Sequence, residues 1–255
     1  MKPHLLLTND DGIEAPGLHY LWESLHEHFE ITIVAPASEQ SSIGMSITTR
    51  SPLRIQRVRW DNNTPAWSVT GTPADCVKLA RRKILTTTPT LVVAGINRGS
   101  NAGRNVLYSG TVGGVIEGLM TDIPGIAFST GDYEVPDYQS AQPWLKPIIE
   151  RVLSHPLPMG TLLNVNFPKA SLGPYRGIKM TRQGKEHIAE DPFSHDEEGT
   201  FWLGARLAEF DEHEESDIHW LNQGYVTAAP IHVHELTDHI HLKEHKEGFE
   251  GHFKL

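Results

Sequence analysis

The sequence predicts an α/β protein: a mostly parallel, Rossmann-like sheet flanked by helices, with an extended, β-rich C-terminal oligomerisation arm. Three observations predict it. Short all-apolar runs of strand length recur, and each ends at a polar loop. Stretches of helical periodicity lie between those runs, and the alternation gives way after about residue 183 to a polar tract. A strand apolar on consecutive residues is covered on both faces, which places helices on both sides of the sheet.

Each element has its own signal. Leu5, Leu6 and Leu7 run into Thr8-Asn9-Asp10-Asp11-Gly12, a buried strand that stops at a polar loop. Leu18, Leu21, Trp22 and Leu25 stand at i, i+3, i+4 and i+7, with Pro16 near the helix start, where a missing N–H matters least. The strand signal returns in Ile31-Thr32-Ile33-Val34, in Leu91-Val92-Val93-Ala94 before Gly95-Ile96-Asn97, and in Ile126-Ala127-Phe128 before Ser129. Helical spacing covers residues 74–85 and 111–121, approximately, and returns over 144–153; residues 162–167 and 178–181 read as further strands. Residues 184–222 are rich in Glu, Asp, His and Gly, with Phe193, Phe201, Trp202 and Trp220 scattered among them, which suits a protruding arm or hairpin better than a sheet core. Two readings of that tract stand side by side: an Ω-loop folded on its own domain, or a contact between copies of the chain. The expected division is a catalytic core over 1–182 and an arm with the C-terminal segment over 183–255, both in one domain unit.

Charge and composition remove several function classes. The net charge of −10 comes with no basic stripe, which argues against nucleic acid duplex binding. An acidic protein that handles a phosphorylated substrate needs a local cation to offset repulsion. The single cysteine, Cys76, excludes an internal disulfide and a cysteine zinc site, and fits a reducing, cytoplasmic setting. No uncharged stretch approaches the roughly 20 residues of a membrane span, and the N-terminal apolar run is too short for a signal peptide.

The residues that could carry chemistry gather where strands end. Asp10 and Asp11 are adjacent carboxylates at the end of the first strand; a crevice holds such a pair when a cation or several donors compensate. Oxygen ligation selects a hard ion such as Mg²⁺, Mn²⁺ or Ca²⁺. The plainer reading is that the pair caps the next helix. In an open α/β sheet the loops after several strands converge on one crevice, so the hydroxyl and amide oxygens of residues 35–44 and 95–103 come near the carboxylates. Gly95-Ile96-Asn97-Arg98-Gly99-Ser100-Asn101-Ala102-Gly103 has the glycine and asparagine content of an anion-holding nest, or of ordinary turns, and contains no Walker lysine. Ser109 or Thr111 can cap the helix that follows, whose N-terminus also suits a phosphate. Gly71-Thr72-Pro73-Ala74-Asp75 opens the preceding helix and reads as structural. The fifteen histidines, including His232 and His234 on one strand face and His239, His241 and His245 beyond, read as a solvated polar face and not a ligand set. Cys76 reads as a buried helix residue.

Together, Leu6-Leu7-Thr8-Asn9-Asp10-Asp11-Gly12, Gly71-Thr72-Pro73-Ala74-Asp75-Cys76-Val77, the 95–103 segment and Tyr108-Ser109-Gly110-Thr111-Val112 resemble the SurE family, the stationary-phase survival protein E nucleotidases. The likeness continues through Asn164-Val165-Asn166-Phe167-Pro168 and Gly224-Tyr225-Val226-Thr227 with Pro230. It implies a Rossmann-like domain with an arm exchanged between subunits of a homodimer or homotetramer. It also implies hydrolysis of nucleoside 5′- and 3′-monophosphates with one divalent ion per subunit, Mg²⁺ or Mn²⁺. Carried over by motif, the metal ligands are Asp10, Asp11, Ser41 and Asn97. The phosphate pocket is Asn9, Asn97, Asn101, Ser109, Gly110 and Thr111, and catalysis falls to Asp10, Asn9 and Ser109, with Asp10 orienting or deprotonating the attacking water. Two places depart from the family pattern: Ala94 stands where Ser is common, and Gly113-Gly114 replaces a run of small residues. Each of those glycines is expected to cost about 1 kcal/mol against alanine in a helix. Two alternatives remain open: an aspartyl phosphate on Asp10, disfavoured by the adjacent Asp spacing, and a nucleotide- or polyphosphate-binding module without turnover.

Overall fold

The computed structural model describes residues 2–188, 192–194, 199–203, 207–208 and 210–253. In chain order the core elements are β1 (His4–Thr8), α1 (Pro16–Leu25), β2 (Glu30–Pro36), β3 (Ile55–Val58), β4 (Ala66–Val69), α2 (Pro73–Leu79), β5 (Leu91–Asn97), α3 (Gly110–Leu119), β6 (Gly125–Ser129), α4 (Tyr138–Ser154), β7 (Thr161–Asn166) and β8 (Ile178–Met180). After these come the short strands β9 (His187–Ile188), β10 (Pro192–Ser194), β11 (Phe201–Leu203) and β12 (Leu207–Ala208). The chain then forms α5 (Asp217–Leu221), β13 (Val226–His232) and α6 (His239–His252).

Nine strands form one sheet in the order β3-β4-β2-β1-β5-β6-β7-β13-β8. The run from β4 to β7 is parallel throughout, while β3 and β13 lie antiparallel to their neighbours β4 and β7. The apolar runs do what their patterning requires: Leu5 and Leu7 face one core with α1 and α4, and Leu6 faces the other with α2 and α3. The expected Rossmann-like sheet with helices on both faces is what forms. Among the described residues no helix is long and apolar enough to cross a membrane.

The helix starts follow from their caps. In α2 the Thr72 hydroxyl accepts from Asp75 N while Asp75 accepts from Thr72 N, a reciprocal box behind Pro73. Ser109, not Thr111, caps α3, accepting from Val112 N at 3.1 Å. The helix expected over 144–153 begins six residues earlier, at Tyr138, because Asp137 caps it through Ser140 N; Pro143 and Pro147 both lie inside it. The expectation that alanine would improve Gly113 fails on space: a Cβ there would sit 2.6 Å from the Gly44 carbonyl oxygen.

Beyond the core, β9 pairs with β12 and β10 with β11, two small antiparallel sheets outside the main one, as a hairpin-like arm requires. The Phe193 and Trp202 side chains lie outside the described residues. Trp220 does not belong with the arm: it sits in α5, edge-on to Tyr225 at 5.1 Å. β13 returns to the main sheet between β7 and β8.

Candidate active site

The sheet changes direction at β1. From β1 the chain moves to β2 on one side and later to β5 on the other, so the loops after these strands part and leave a crevice at their carboxyl ends. Asn9, Asp10 and Asp11 enter it from β1, residues 37–44 from β2, and residues 98–107 from β5.

Asp10 is buried beneath the first turn of α3. Thr111 donates its hydroxyl to Asp10 Oδ1, and Gln40 N donates to the Asp10 carbonyl at 2.7 Å. Gly110 is required here, because a Cβ would lie 2.8 Å from Asp10 Cβ and 2.9 Å from its Oδ2. Burial pushes the Asp10 carboxyl up to about 7; the Thr111 hydroxyl opposes that shift and the neighbouring Asp11 charge adds to it. Asp11 is also raised, chiefly by burial, although Arg98 N donates to its Oδ2 at 3.3 Å and the Arg98 charge favours ionisation. Asn9 donates through Nδ2 to Gly12 O at 2.8 Å, and its buried Oδ1 has no hydrogen-bond partner.

Asn97 closes β5. Its Nδ2 donates to Gly99 O at 2.8 Å and Arg98 O at 3.3 Å, which leaves the amide oxygen for a ligand. Asn101 is buried deeper, its Nδ2 bonded to Ser129 Oγ at 2.8 Å. Ser41 lies on an exposed turn, and its hydroxyl donates to Glu39 Oε1 at 2.6 Å; Glu39 in turn accepts from Arg98 Nη2 at 3.3 Å. Hydrogen bonds therefore join Asp10 to Thr111 and, through Arg98 and Glu39, Asp11 to Ser41; Gly110 meets Asp10 by close approach alone, and Asn101 is bonded to Ser129.

The donor set passes a fit test for a hard divalent ion. Two adjacent carboxylates, the Asn97 amide oxygen and the orphaned, buried Asn9 oxygen are all oxygen donors, and burial without a compensating cation leaves Asp10 reluctant to ionise. Ser41 gives its hydroxyl hydrogen to Glu39 and keeps its oxygen lone pairs, so that bond does not bar it from a cation. The histidines do not compete: among the described residues no three of His, Cys, Asp or Glu converge as a metal site. Cys76 is buried in α2 as expected.

Sequence reasoning passed over the rim. The Arg98 guanidinium lies 4.4 Å from the Tyr133 ring centre and also reaches Glu39, a grouping drawn from loops after β2, β5 and β6 that no local pattern announces. Asn164 and Asn166 did leave a signal, two polar residues at i and i+2 in a wholly buried strand.

An open, mostly parallel sheet covered on both faces, with an acidic pair at its switch point and a helix N-terminus above it, defines a Rossmann-like α/β protein whose candidate site is that crevice. Comparison with known proteins places it further: residues 5–190 match the family described as "Survival protein SurE", and the chain belongs to that family. It is 49% identical over 254 residues to a protein of Protochlamydia amoebophila named "5'-nucleotidase SurE", covering 98% of this chain and 97% of that one. A protein of the same name from Caldanaerobacter subterraneus subsp. tengcongensis is 40% identical over 95% of this chain and 96% of its own. The crystal structure of the Sure protein from Aquifex aeolicus superposes with a TM-score of 0.83 at 36% identity, covering 97% of this chain and 100% of that one.

Proposed function

We propose that this chain is a divalent-metal-dependent phosphomonoesterase that hydrolyses nucleoside 5′-monophosphates, and 3′-monophosphates, to nucleoside and phosphate. The observation that carries the reading is the buried Asp10 beside Asp11 under the first turn of α3, an acidic pair at a strand end where a helix N-terminus favours an anion. The nucleotidase relatives support the substrate class.

In this reading Asp10, Asp11, Asn97 and Ser41 hold one Mg²⁺ or Mn²⁺ per subunit. When bound, such an ion offsets the carboxylates and polarises a phosphoryl oxygen. The chain's own groups do the positioning. The first turn of α3, from Ser109 through Gly110 to Thr111, receives phosphoryl oxygens, and Asn9, Asn97 and Asn101 fix the phosphoryl group's orientation. Asp10, held in place by the Thr111 hydroxyl, accepts a proton from the attacking water as the phosphate ester bond breaks, and the nucleoside oxygen takes up a proton from that carboxyl or from solvent and leaves as its alcohol.

Within this one domain unit residues 1–182 carry the site, and 183–255 supply the arm and the C-terminal segment, from which β13 returns to the main sheet. The exposed Phe201 on β11, the exposed Ile240 and Phe249 on α6 and Phe253 just beyond it suit contact with further copies, as a homodimer or homotetramer in the cytoplasm.

The test is phosphate release from a panel of nucleoside monophosphates by chelator-stripped protein, with Mg²⁺ or Mn²⁺ added back, beside Asp10→Asn. Release restored by metal and lost in the variant is expected. A folded protein that binds nucleotide and releases no phosphate with either metal would replace this reading with a binding module.

A further inference from the structure

We propose that Asn164, Asn166 and Asp217 are positioning residues that hold the 101–103 loop in the conformation presenting Asn101 to the phosphoryl group. The inference rests on the reading of Asn101 as a phosphate ligand and adds to it the parts of the chain that set its place.

Loop backbone normally satisfies its polar groups with other backbone or with solvent. In this loop five of the six main-chain N–H and C=O groups of residues 101–103 are met by side chains instead. Asn101 N donates to Asn166 Oδ1 at 2.8 Å, Asn101 O accepts from Asn164 Nδ2 at 2.9 Å, Ala102 N donates to Ser100 Oγ at 3.2 Å, Gly103 N donates to Asp217 Oδ2 at 3.0 Å, and Gly103 O accepts from Gln183 Nε2 at 2.6 Å. Apart from Ser100, which belongs to the loop itself, the partners come from β7, from the root of the arm and from α5, so the loop takes its shape chiefly from segments far away in sequence.

Each anchor is a residue that the core has reason to reject. Asn164 and Asn166 are fully buried on one face of β7, where a branched apolar side chain would pack without a desolvation penalty. Asn166 Nδ2 has no hydrogen-bond partner, so the bonds of this side chain in the fold are made through its oxygen, which accepts from Asn101 N and from Ser100 Oγ. Asp217 is a carboxylate with no exposed surface, and it accepts from Gly103, Gly184 and Ile218 main-chain N–H groups. It thereby ties the site loop, the arm root and α5 to one group.

Two readouts separate positioning from packing. The first is steady-state kinetics of the metal-loaded protein on a nucleoside monophosphate. Asn166→Ala should lower kcat by about tenfold to a hundredfold with a much smaller change in KM, the effect of a misplaced group at a reacting centre. Asn166→Asp keeps the accepting oxygen and should recover most of the rate. Thr227→Val alters the residue directly across from Asn166 in β13, whose buried hydroxyl has no partner, and should behave as wild type. Wild-type kinetics in Asn166→Ala, or an equal loss in Thr227→Val, would overturn the proposal.

The second readout is amide hydrogen exchange of the Asn101 and Gly103 N–H groups, slow in the wild type. Asn101 should exchange faster in Asn166→Ala, and Gly103 faster in the near-isosteric Asp217→Asn, where an NH₂ can face the Gly103 N–H, with the central strands unchanged. Unaltered protection at both amides refutes the clamp. A wild type that hydrolyses no monophosphate would sink the functional reading instead, and exchange would still decide the clamp.

Discussion

Asp10→Asn should make the metal-stripped protein more stable even as it removes activity. Burial moves the Asp10 carboxyl from its ordinary value of 3.8 to about 7, so the folded state binds this proton more tightly than the unfolded chain does. Below roughly pH 4 both states hold the proton and the group contributes nothing. Between about pH 4 and pH 7 the unfolded chain releases it first, and stability falls as pH rises. Above about pH 7 the whole penalty stands, about 4 kcal/mol at 1.36 kcal/mol per pH unit. Asparagine keeps an oxygen for the Thr111 hydroxyl and removes the charge beside Asp11, while its new NH₂ gives back about 1–2 kcal/mol if it stays unpaired. The net gain at pH 8 is then about 2–3 kcal/mol, or roughly 5–10 °C in Tm for a chain of this length. At pH 5 the gain should shrink to nearly nothing. The assay is thermal unfolding by circular dichroism of chelator-stripped wild type and variant at both pH values. Equal midpoints at pH 8, or the same gain at pH 5, would refute the reasoning. Saturating Mn²⁺ should reverse the order, raising the wild type and leaving the variant where it was.

Gly113→Ala should destabilise the fold by roughly 1–3 kcal/mol in urea unfolding, because its Cβ meets the Gly44 carbonyl at 2.6 Å and overpacking outweighs the helix propensity of alanine. Lys78→Met should cost about 3 kcal/mol by the same measurement, since it strands the buried Glu117 carboxylate that now pairs with Lys78 at 2.5 Å; adding Glu117→Leu should recover most of the loss.

The strands at the centre of the sheet were legible because burial on both faces writes itself as an unbroken apolar run, as in Leu5-Leu6-Leu7 and Leu91-Val92-Val93. The edge strand β3 is short and exposed along its middle, and Ile55-Gln56-Arg57-Val58 carries no such run; its neighbour β4 is largely buried but only four residues long, with Ser68 breaking its apolar run. The start of α4 was missed because proline inside a helix reads as a stop, whereas here Asp137 sets the boundary and Pro143 is carried through. At the site, Asp10, Asp11 and Asn97 could be read from strand ends alone. The contacts of Arg98 with Glu39 and Tyr133, and the hold of Asn164, Asn166 and Asp217 on the 101–103 loop, join segments separated by 35 to 114 residues, and no local pattern encodes such a meeting.

The place of β13 has a consequence for how the protein is made. β13 is the last strand in the chain, yet it lies inside the sheet, between β7 and β8. While a ribosome is still short of residue 226, β7 presents an open edge and β8 has no neighbour in the sheet to hydrogen-bond with. The parallel strands from β4 to β7 can assemble as they emerge, but the nascent chain carries a sticky, half-closed sheet until β13 has been translated. A stop codon anywhere before β13 would therefore release a product prone to edge-to-edge aggregation, not a smaller working enzyme.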